Sequence, residues 1–236
     1  RDASTTMKGL AGGSRDGQEQ GMNGYDFVLA GAELTAMPSG ALWWRGEGLL
    51  VVSDLHLGKS ERMARRGGPL LPPYEGIETL GRLDADIART GARRVICLGD
   101  SFDDLVSAEL PDDLGAWLAR MMAGRHWVWI EGNHDPGPVA LGGEHRAEMR
   151  LGPLVFRHIA ATQTSAEVSG HYHPKAGVAG ETRRCFLLDE RRLVLPAYGA
   201  FTGGLSCRDP VLRALMGSQA KAILTGARAL AVPMPR

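Results

Sequence analysis

Five short polar segments of the chain carry residue types that bind divalent metal ions. They read Asp54-Leu55-His56, Gly99-Asp100, Gly132-Asn133-His134-Asp135, Arg157-His158 and Gly170-His171-Tyr172-His173. Carboxylate and amide oxygens combined with imidazole nitrogens favour Mn, Fe, Zn or a similar ion over Ca, without choosing among them. If the fold brings the segments together, they predict a metal site.

The spacing inside two of the segments predicts paired ligands. Asp54 and His56 are two residues apart, so on an extended segment they share a side and can bind one cation through an oxygen and a nitrogen. His171 and His173 repeat that spacing. Taken alone each pair is a weak signal, because a single histidine is more often an ordinary surface or core residue than a ligand.

Asp100 and Asn133 are candidates for joining two metal ions into one site. The carboxylate of Asp100 follows Gly99, which lets the backbone turn closely, and it could bridge two cations ~3.5–4 Å apart. Asn133 would give a neutral carbonyl oxygen to the second ion. Five such segments in order favour a binuclear site over a set of unrelated polar loops.

Each polar segment directly follows an apolar run, and these runs indicate the elements that position the ligands. We predict strands over 49–53, 94–98, 127–130, 154–156, 166–169, 185–188 and 193–195. Ligands gather at strand ends in α/β sheets because the loops there converge on one crevice. The five segments are therefore expected to meet.

Apolar residues at helical spacing predict two helices between the first three strands, each with a stripe facing the core. The stripes are Ile77, Leu80, Leu83 and Ile87 in the first helix, and Leu114, Trp117, Leu118, Met121 and Met122 in the second. Strands and helices alternate at first and strands dominate the second half. This order predicts a mixed α/β sandwich rather than a uniform doubly wound sheet.

The composition bounds the organisation and location of the chain. Its 27 basic and 27 acidic residues give no global positive charge, so a nucleic acid would have to be held locally. We expect residues 1–24 to be a disordered tail and residues 25–236 to form a single domain. No apolar run reaches the ~18 residues of a membrane span. The three cysteines suit reduced thiols in the cytoplasm, and we expect no disulfide.

Taken in order, the polar segments resemble the calcineurin-like metallophosphoesterases, whose pattern is Asp-x-His, Gly-Asp, Gly-Asn-His-Asp/Glu, a single His and Gly-His-x-His. The resemblance implies an α/β (α+β) fold, a four-layer sandwich of two mixed β-sheets flanked by helices. It also implies two divalent metal ions. One would be held by Asp54, His56, Asp100 and His173, and the other by Asp100, Asn133, His158 and His171.

Further motifs are similar to those of the bacterial ligase-associated DNA damage response endonucleases. They are the segments 54–59, 71–75, 99–102, 170–174 and 196–204. This resemblance implies a cytoplasmic, manganese-preferring phosphodiesterase that cleaves DNA, with single-stranded DNA expected, beside a ligase, an exonuclease and a helicase of a repair pathway. Members of that branch often carry His where this chain has Asp103. A carboxylate facing a phosphate there would repel it unless protonated or paired.

His134 and Asp135 are the candidate catalytic residues. His134 adjoins the predicted ligand Asn133, and we expect it to protonate the leaving alkoxide or to stabilise the transition state. Asp135 would orient that imidazole and favour its charged form. The alternative for Asp135 is a helix cap or a turn residue before Pro136.

Lys59, Arg62, Tyr172 and Lys175 are the candidate substrate-binding residues, because they follow or separate predicted ligands. For the basic residues after the first ligand pair, a solvated helix face is the alternative. Two other functions stay open: hydrolysis of a phosphomonoester or a nucleotide by the same ligands, and a non-enzymatic scaffold on the same fold. Assays with manganese on single-stranded DNA and on a monoester distinguish the phosphomonoesterase from a nuclease. Metal analysis of the purified protein distinguishes the scaffold from an enzyme.

Overall fold

The structure, a computed structural model, describes residues 23–60, 63, 67, 74–103, 110–137, 141–162, 166–178 and 180–236. Within these residues the first sheet has seven strands in the order of the chain. They are β1 (Tyr25–Leu29), β2 (Ala32–Ala36), β3 (Leu42–Trp44), β4 (Leu49–Val52), β5 (Arg94–Leu98), β6 (His126–Ile130) and β7 (Glu144–Arg146). Strands β1 to β4 pair antiparallel and β4 to β7 pair parallel. The carboxyl ends of β4, β5 and β6 therefore lie at one edge.

The second sheet has eight strands among the described residues, in the order β15-β14-β12-β13-β10-β9-β8, with β11 paired to β12. They are β8 (Glu148–Leu151), β9 (Leu154–Arg157), β10 (Glu167–Ser169), β11 (Lys175–Val178), β12 (Glu181–Leu188), β13 (Arg192–Val194), β14 (Lys221–Leu224) and β15 (Leu230–Pro233). Strand β10 pairs parallel with both β9 and β13. The other pairs are antiparallel, so this sheet is mixed as well.

The described helices cover the outer faces of the two sheets. Helices α1 (Glu75–Thr90) and α2 (Asp112–Met122) share a core with one face of the first sheet, and α3 (Pro210–Leu215) shares one with the second. A further core joins the inner faces of the two sheets. A single 3-10 turn, Arg45–Glu47, precedes β4. This order of layers confirms the prediction of two mixed sheets flanked by helices.

Strand β4 explains why the site-bearing strands read as unbroken apolar runs. Leu49 and Val51 belong to the core between the sheets, whereas Leu50 and Val52 belong to the core under α1 and α2. All four residues are buried. A strand covered on both faces loses the alternation of polar and apolar residues that marks a half-exposed strand.

One residue of the predicted helix stripes is not in the core. Ile77 is 47% exposed, while Leu80, Leu83 and Ile87 are buried. At 3.6 residues per turn, Ile77 points about 90° away from the mean direction of the other three. The prediction was therefore wrong for Ile77, because the stripe begins one turn later.

The structure bears on three further expectations: the tail, the membrane span and the cysteines. The expected tail at 1–24 falls almost entirely outside them, since they begin at Asn23. No described helix combines the length and the apolar character needed to cross a bilayer. All three cysteines are buried free thiols, and the Sγ atoms of Cys185 and Cys207 are 3.6 Å apart.

Candidate metal centre

The five polar segments follow the carboxyl ends of five parallel strands. The segments of Asp54, Asp100 and Asn133 follow β4, β5 and β6, and those of His158 and His171 follow β9 and β10. The first three strands belong to one sheet and the last two to the other. The candidate ligands therefore meet at the open edge between the two sheets, where loops of α/β proteins converge.

One cluster of ligand atoms contains Asp54, His56 and His173. The Oδ1 atom of Asp54 is 3.1 Å from Nε2 of His173, and this nitrogen is 3.4 Å from Nε2 of His56. The three ligand atoms all lie within 4.8 Å of one another. An oxygen and two nitrogens at such distances can share a single cation.

A second cluster contains Asp100, His158 and His171, with Asn133 beside it. Nε2 of His158 is 3.3 Å from Oδ2 of Asp100, 3.2 Å from Nδ1 of His171 and 3.0 Å from Oδ1 of Asn133. The first three ligand atoms again lie within 4.8 Å of one another.

The two clusters adjoin each other. Nδ1 of His158, in the second cluster, is 3.9 Å from Oδ1 of Asp54, in the first. The structure thus brings together all seven side chains that the sequence predicts as ligands. Their division into two groups follows the two ligand sets that the family resemblance implies, except that Asp100, implied in both sets, belongs only to the second cluster.

The backbone of the ligand segments departs from the extended form that the spacing argument assumed. Positive φ angles occur at Asp54 (54°), His56 (47°), Asp100 (47°), His171 (72°) and His173 (46°). Residues other than glycine seldom adopt this left-handed region, and such strain concentrates at functional sites. Spacing alone would allow His171 and His173 to share a cation, but they belong to different clusters, as the family resemblance implies.

Gly99 makes the approach between the sheets possible. Its φ is 74°, and a Cβ atom at this position would come within 2.5 Å of the His158 ring. Only glycine suits both the backbone angle and the lack of space. The close turn that the sequence predicts before Asp100 is thus required by the imidazole of the facing sheet.

The chemistry of the donor set fits divalent metal ions. Oδ2 of Asp54 accepts hydrogen bonds from the Ser53 hydroxyl (2.5 Å) and the His171 N–H (2.9 Å). Oδ1 of Asp54 is buried and accepts no hydrogen bond of good geometry from the described residues. A buried carboxylate oxygen without a donor, facing an imidazole nitrogen, is the arrangement expected of two ligands of one ion.

Neighbouring acceptors select the nitrogen that each of two histidines offers to a metal ion. His158 donates from Nδ1 to the carbonyl of Leu98 (2.8 Å), which leaves Nε2 for the second cluster. Nδ1 of His56 lies 3.0 Å from the Asp103 carboxylate, which leaves Nε2 for the first. Such partners fix the tautomer and raise the basicity of metal-binding imidazoles.

The clusters are strongly coupled in charge. Burial by itself would lower the pKa of His158, but its hydrogen bond with Asp100 and the charges of Asp54 and Asp100 raise the pKa to about 9. Burial by itself would raise the pKa of both aspartates, yet His173 lowers that of Asp54, and His158 lowers that of Asp100. Burial, together with the charge of His158, lowers the pKa of His171. The centre thus favours ionised carboxylates, as metal binding requires.

His134 lies beside the two clusters and is not one of the seven predicted ligands, although its ligand atom is within 4.8 Å of those of His56 and Asp103. Its Nδ1 donates to the backbone carbonyl of Asp103 (2.9 Å), and its Nε2 faces the Asp100 carboxylate at 4.0 Å. The His134 side chain is 33% exposed. One ring nitrogen is therefore fixed by the backbone, and the other remains within reach of solvent and substrate.

Asp135 does not orient His134, contrary to the first of the two sequence interpretations. Its carboxylate accepts four backbone N–H bonds of 2.8–3.2 Å, from Asp100, Ser101, Phe102 and Gly132. The residue is 6% exposed. The Asp135 carboxylate ties the loop after β5 to the loop after β6, and its four donors leave no free oxygen for the imidazole.

The Asp103 carboxylate does not face an incoming phosphate. The residue is 2% exposed, and its Oδ1 lies against Nδ1 of His56. It therefore contacts the ring nitrogen of His56 that does not belong to the first cluster, and it can polarise this imidazole as a carboxylate beside a metal-binding histidine does. Sequence spacing could not reveal this partner, since 46 residues separate the two in the chain.

The predicted substrate-binding residues lie in different surroundings. Lys59 and Lys175 donate to the carbonyls of Phe201 and Thr202, each at 3.2 Å. The ring of Tyr172 meets the His171 ring edge to face, with centroids 5.1 Å apart. Arg62 lies outside the described residues.

The chain matches the family model of the calcineurin-like phosphoesterases over residues 49–194 and belongs to this family. Membership defines a hydrolase of phosphate esters that uses divalent metal ions, and the two clusters are its candidate metal sites.

Among solved structures, the chain is similar to the nuclease MPE of Pseudomonas putida, with 28% identity, a TM-score of 0.70 and coverage of 89% of this chain and 100% of that chain. It is also similar to a conserved uncharacterized protein of Streptococcus pneumoniae, a predicted phosphoesterase. The identity there is 15% and the TM-score is 0.33, with coverage of 78% of this chain and 96% of that one. None of the curated proteins compared with the chain matches it.

Proposed function

We propose that this phosphoesterase is a binuclear, metal-dependent phosphodiesterase that cleaves DNA, with single-stranded DNA as the expected substrate. The observation that carries the proposal is the convergence of seven oxygen and nitrogen ligands into two adjoining clusters. The structural likeness to a nuclease, which the match covers completely, supports a nucleic acid as the substrate class, and the sequence resemblance points to DNA.

Two divalent cations would be held as the family pattern implies. Asp54, His56 and His173 would bind one ion, and His158, His171 and Asn133 the other, with Asp100 shared. We infer Mn²⁺ from the sequence resemblance, while the donor set equally suits Fe or Zn. When bound, the two ions supply hydroxide at neutral pH and neutralise charge on the phosphate oxygens.

His134 is the proposed proton donor to the leaving oxygen. Because its Nδ1 donates to the Asp103 carbonyl, the proton that can be transferred is the one on Nε2. This atom lies 4.0 Å from the Asp100 carboxylate, so it would stand beside a substrate held on the metal centre. Asp135 would act by holding the loops that carry Asp100 and His134, through the N–H bonds that it accepts.

The role in DNA repair, the company of a ligase, an exonuclease and a helicase, and the cytoplasmic location rest on the sequence resemblance. The three free, buried thiols suit a reducing compartment. Organisation of residues 25–236 as one domain is supported by the core that joins both sheets.

The test is an assay of the purified protein with Mn²⁺ on single-stranded DNA, on a simple phosphomonoester and after treatment with a chelator. We expect cleavage of DNA that depends on the metal and exceeds hydrolysis of the monoester. Hydrolysis of the monoester alone would favour the phosphomonoesterase. Absence of both activities, together with absence of bound metal, would favour the scaffold.

A further inference from the structure

The loop of residues 198–204, here called the Phe201 loop, contacts the backbone of two residues of the first metal cluster, Asp54 and His173. The N–H of Gly199 donates to the carbonyl of Asp54 (3.0 Å). A Cβ atom on Gly204 would collide with the carbonyl oxygen of His173, so only glycine fits there. In the chain, Phe201 lies between Gly199 and Gly204, whose backbones contact the predicted ligands Asp54 and His173.

Phe201 is unusual for an aromatic residue in this position. It is 47% exposed, and its φ angle of 53° lies in the left-handed region. Neither burial nor backbone preference explains a phenylalanine there, since glycine or asparagine would suit the backbone better. An exposed ring beside a phosphate-cleaving centre is available to a ligand with a flat, apolar face.

Two lysines fasten the Phe201 loop and bring positive charge to it. Lys59 Nζ donates to the carbonyl of Phe201 and Lys175 Nζ to the carbonyl of Thr202. Thr202 is itself buried, and its hydroxyl donates to the carbonyl of Gly199 (3.3 Å). An ammonium group has three donors, so each lysine keeps donors for phosphate oxygens.

A cavity of about 270 Å³ continues the basic surface on the other side of Gly204. Lys175 and Arg208 contribute to its lining. Arg208 is exposed, and no carboxylate among the described residues forms an ion pair with its guanidinium. This flank of the metal centre therefore attracts anions.

The flank beside the second cluster does not share this excess of positive charge. A cavity of about 400 Å³ beside Asn133 is lined by Glu131, Glu148 and Arg157. The Arg157 guanidinium is 2.7 Å from Glu148 and 3.5 Å from Glu167, so its charge is neutralised. Since Glu148 is also 3.8 Å from Arg150 and Glu167 is 3.4 Å from Arg192, the charges on this flank largely cancel. A phosphate backbone is thus favoured on the Phe201 side, where the ion pairs among the described residues leave Lys59, Lys175 and Arg208 uncompensated.

We propose that Phe201, Lys59, Lys175 and Arg208 form a nucleotide subsite beside the metal centre, where a base stacks on the Phe201 ring and flanking phosphates bind the three cations. The subsite rests on the proposed function, since it takes DNA as the substrate. Every base has a flat face, and a single strand leaves that face exposed, so the subsite favours single strands without selecting a sequence.

The test compares two single-stranded oligomers of equal length, one of thymidine nucleotides and one whose nucleotides lack bases. Both kcat/KM with Mn²⁺ and Kd by fluorescence anisotropy are measured. Phe201→Gly removes the ring while suiting the positive φ angle, and Phe201→Tyr keeps a ring. Val28→Ala, which trims a residue 64% exposed on β1, is the matched control. Thermal unfolding checks that each variant folds.

We expect Phe201→Gly to reduce the preference for the base-containing oligomer roughly 5- to 150-fold, the scale of aromatic–base stacking. Phe201→Tyr should restore most of that preference, and Val28→Ala should keep it. An unchanged preference in folded Phe201→Gly, or an equal loss on both oligomers, overturns the subsite. If the wild type cleaves neither oligomer, the proposed function fails, and the binding measurements still decide whether Phe201 contacts bases.

The salt dependence of binding tests the basic part of the subsite. Each phosphate contact of a single strand contributes about 0.7 to the slope of log K against log salt concentration. Arg208→Ala should reduce the slope by about that amount. The control Lys221→Ala changes an exposed lysine of β14, whose Nζ lies 3.4 Å from the Tyr25 hydroxyl, and should leave the slope unchanged. Equal slopes for the wild type and Arg208→Ala would remove Arg208 from the subsite.

Discussion

Replacement of Asp135 tests whether this residue supports the metal centre or orients the neighbouring imidazole. Asp135→Ala removes the acceptor of four backbone N–H groups, at a position only 6% exposed. A buried donor that loses its partner costs about 1 kcal/mol or more. Four such donors make the variant less stable by about 4 kcal/mol, unless water enters and recovers part of the loss.

Unfolding of the metal-free protein by heat and by urea measures this loss. For a chain of this size, about 4 kcal/mol corresponds to a fall in Tm of about 8–16 °C. Asp135→Asn keeps one oxygen that can accept two of the four bonds, so it should lose about 2 kcal/mol. The matched control is Asp84→Ala. Asp84 is exposed and accepts a single bond from Trp117 (2.9 Å), so its loss should cost less than about 1 kcal/mol.

The two possible roles of Asp135 predict different combinations of change in stability, metal affinity and kcat. If Asp135 holds the loop after β5, Asp135→Ala loses affinity for metal as well as stability, because that loop carries Asp100. If Asp135 orients His134, only kcat falls. A variant that unfolds at the wild-type temperature, binds metal normally and loses kcat alone would refute the structural role.

The remaining predictions concern the ligands and their protons. His134→Ala should lower the rate of DNA cleavage at least ~100-fold with metal content retained, since it removes a proton donor; a loss of metal would contradict this. Asn133→Ala should lower the rate by at least ~100-fold and reduce bound metal, measured by elemental analysis; full occupancy would exclude it as a ligand. Because the pKa of His158 is raised to about 9, metal binding at pH 7 should release protons, seen by calorimetry in buffers of different ionisation enthalpy; buffer-independent heats would refute it. In the presence of a chelator, the raised pKa of His158 stabilises the folded protein at pH values below the unfolded pKa of about 6.5, and this stabilisation is lost as the pH rises towards 9. Asp54 and Asp100, whose pKa values are lowered, stabilise it above about 3.9, and this is lost as pH falls; a flat profile of Tm against pH would contradict both.

The strands that carry the ligands could be predicted because both of their faces are covered. Strands β4, β5 and β6 separate the core between the sheets from the core under the helices, so their sequences are unbroken apolar runs. A polar residue directly after such a run stands out. The candidate metal ligands could therefore be picked out from residue type and position, and the family resemblance then divided them into two sets.

The strands at the sheet edges could not be predicted in the same way. In β1 half-buried and exposed residues alternate from Tyr25 to Val28, and β7 consists of Glu144, His145 and Arg146. An edge strand buries little side chain, so its sequence carries little of the signal on which the prediction depends. Hydrogen bonds to a neighbouring strand, which the sequence does not display, define these elements.

The partners of the polar residues were the least predictable part of the site. Spacing alone would allow His171 and His173 to share one cation, but the fold places them in different clusters, although Asp54 and His56 share one at the same spacing. Adjacency paired Asp135 with His134, but four N–H groups from other loops take its oxygens. Short-range spacing assumes regular backbone, and this assumption fails where a loop is strained.

The strained backbone of the ligand loops is stabilised in part by hydrogen bonds between the loops. The N–H of Asp54 donates to the carbonyl of Gly99 (3.2 Å), and that of His56 donates to the carbonyl of Asp100 (2.9 Å). The N–H of His171 donates across the sheets to the Asp54 carboxylate (2.9 Å). Since each left-handed residue costs about 1–3 kcal/mol, no loop would keep its form without the others. The ligands of one cluster should therefore depend on those of the other, and paired substitutions should not be additive in metal affinity.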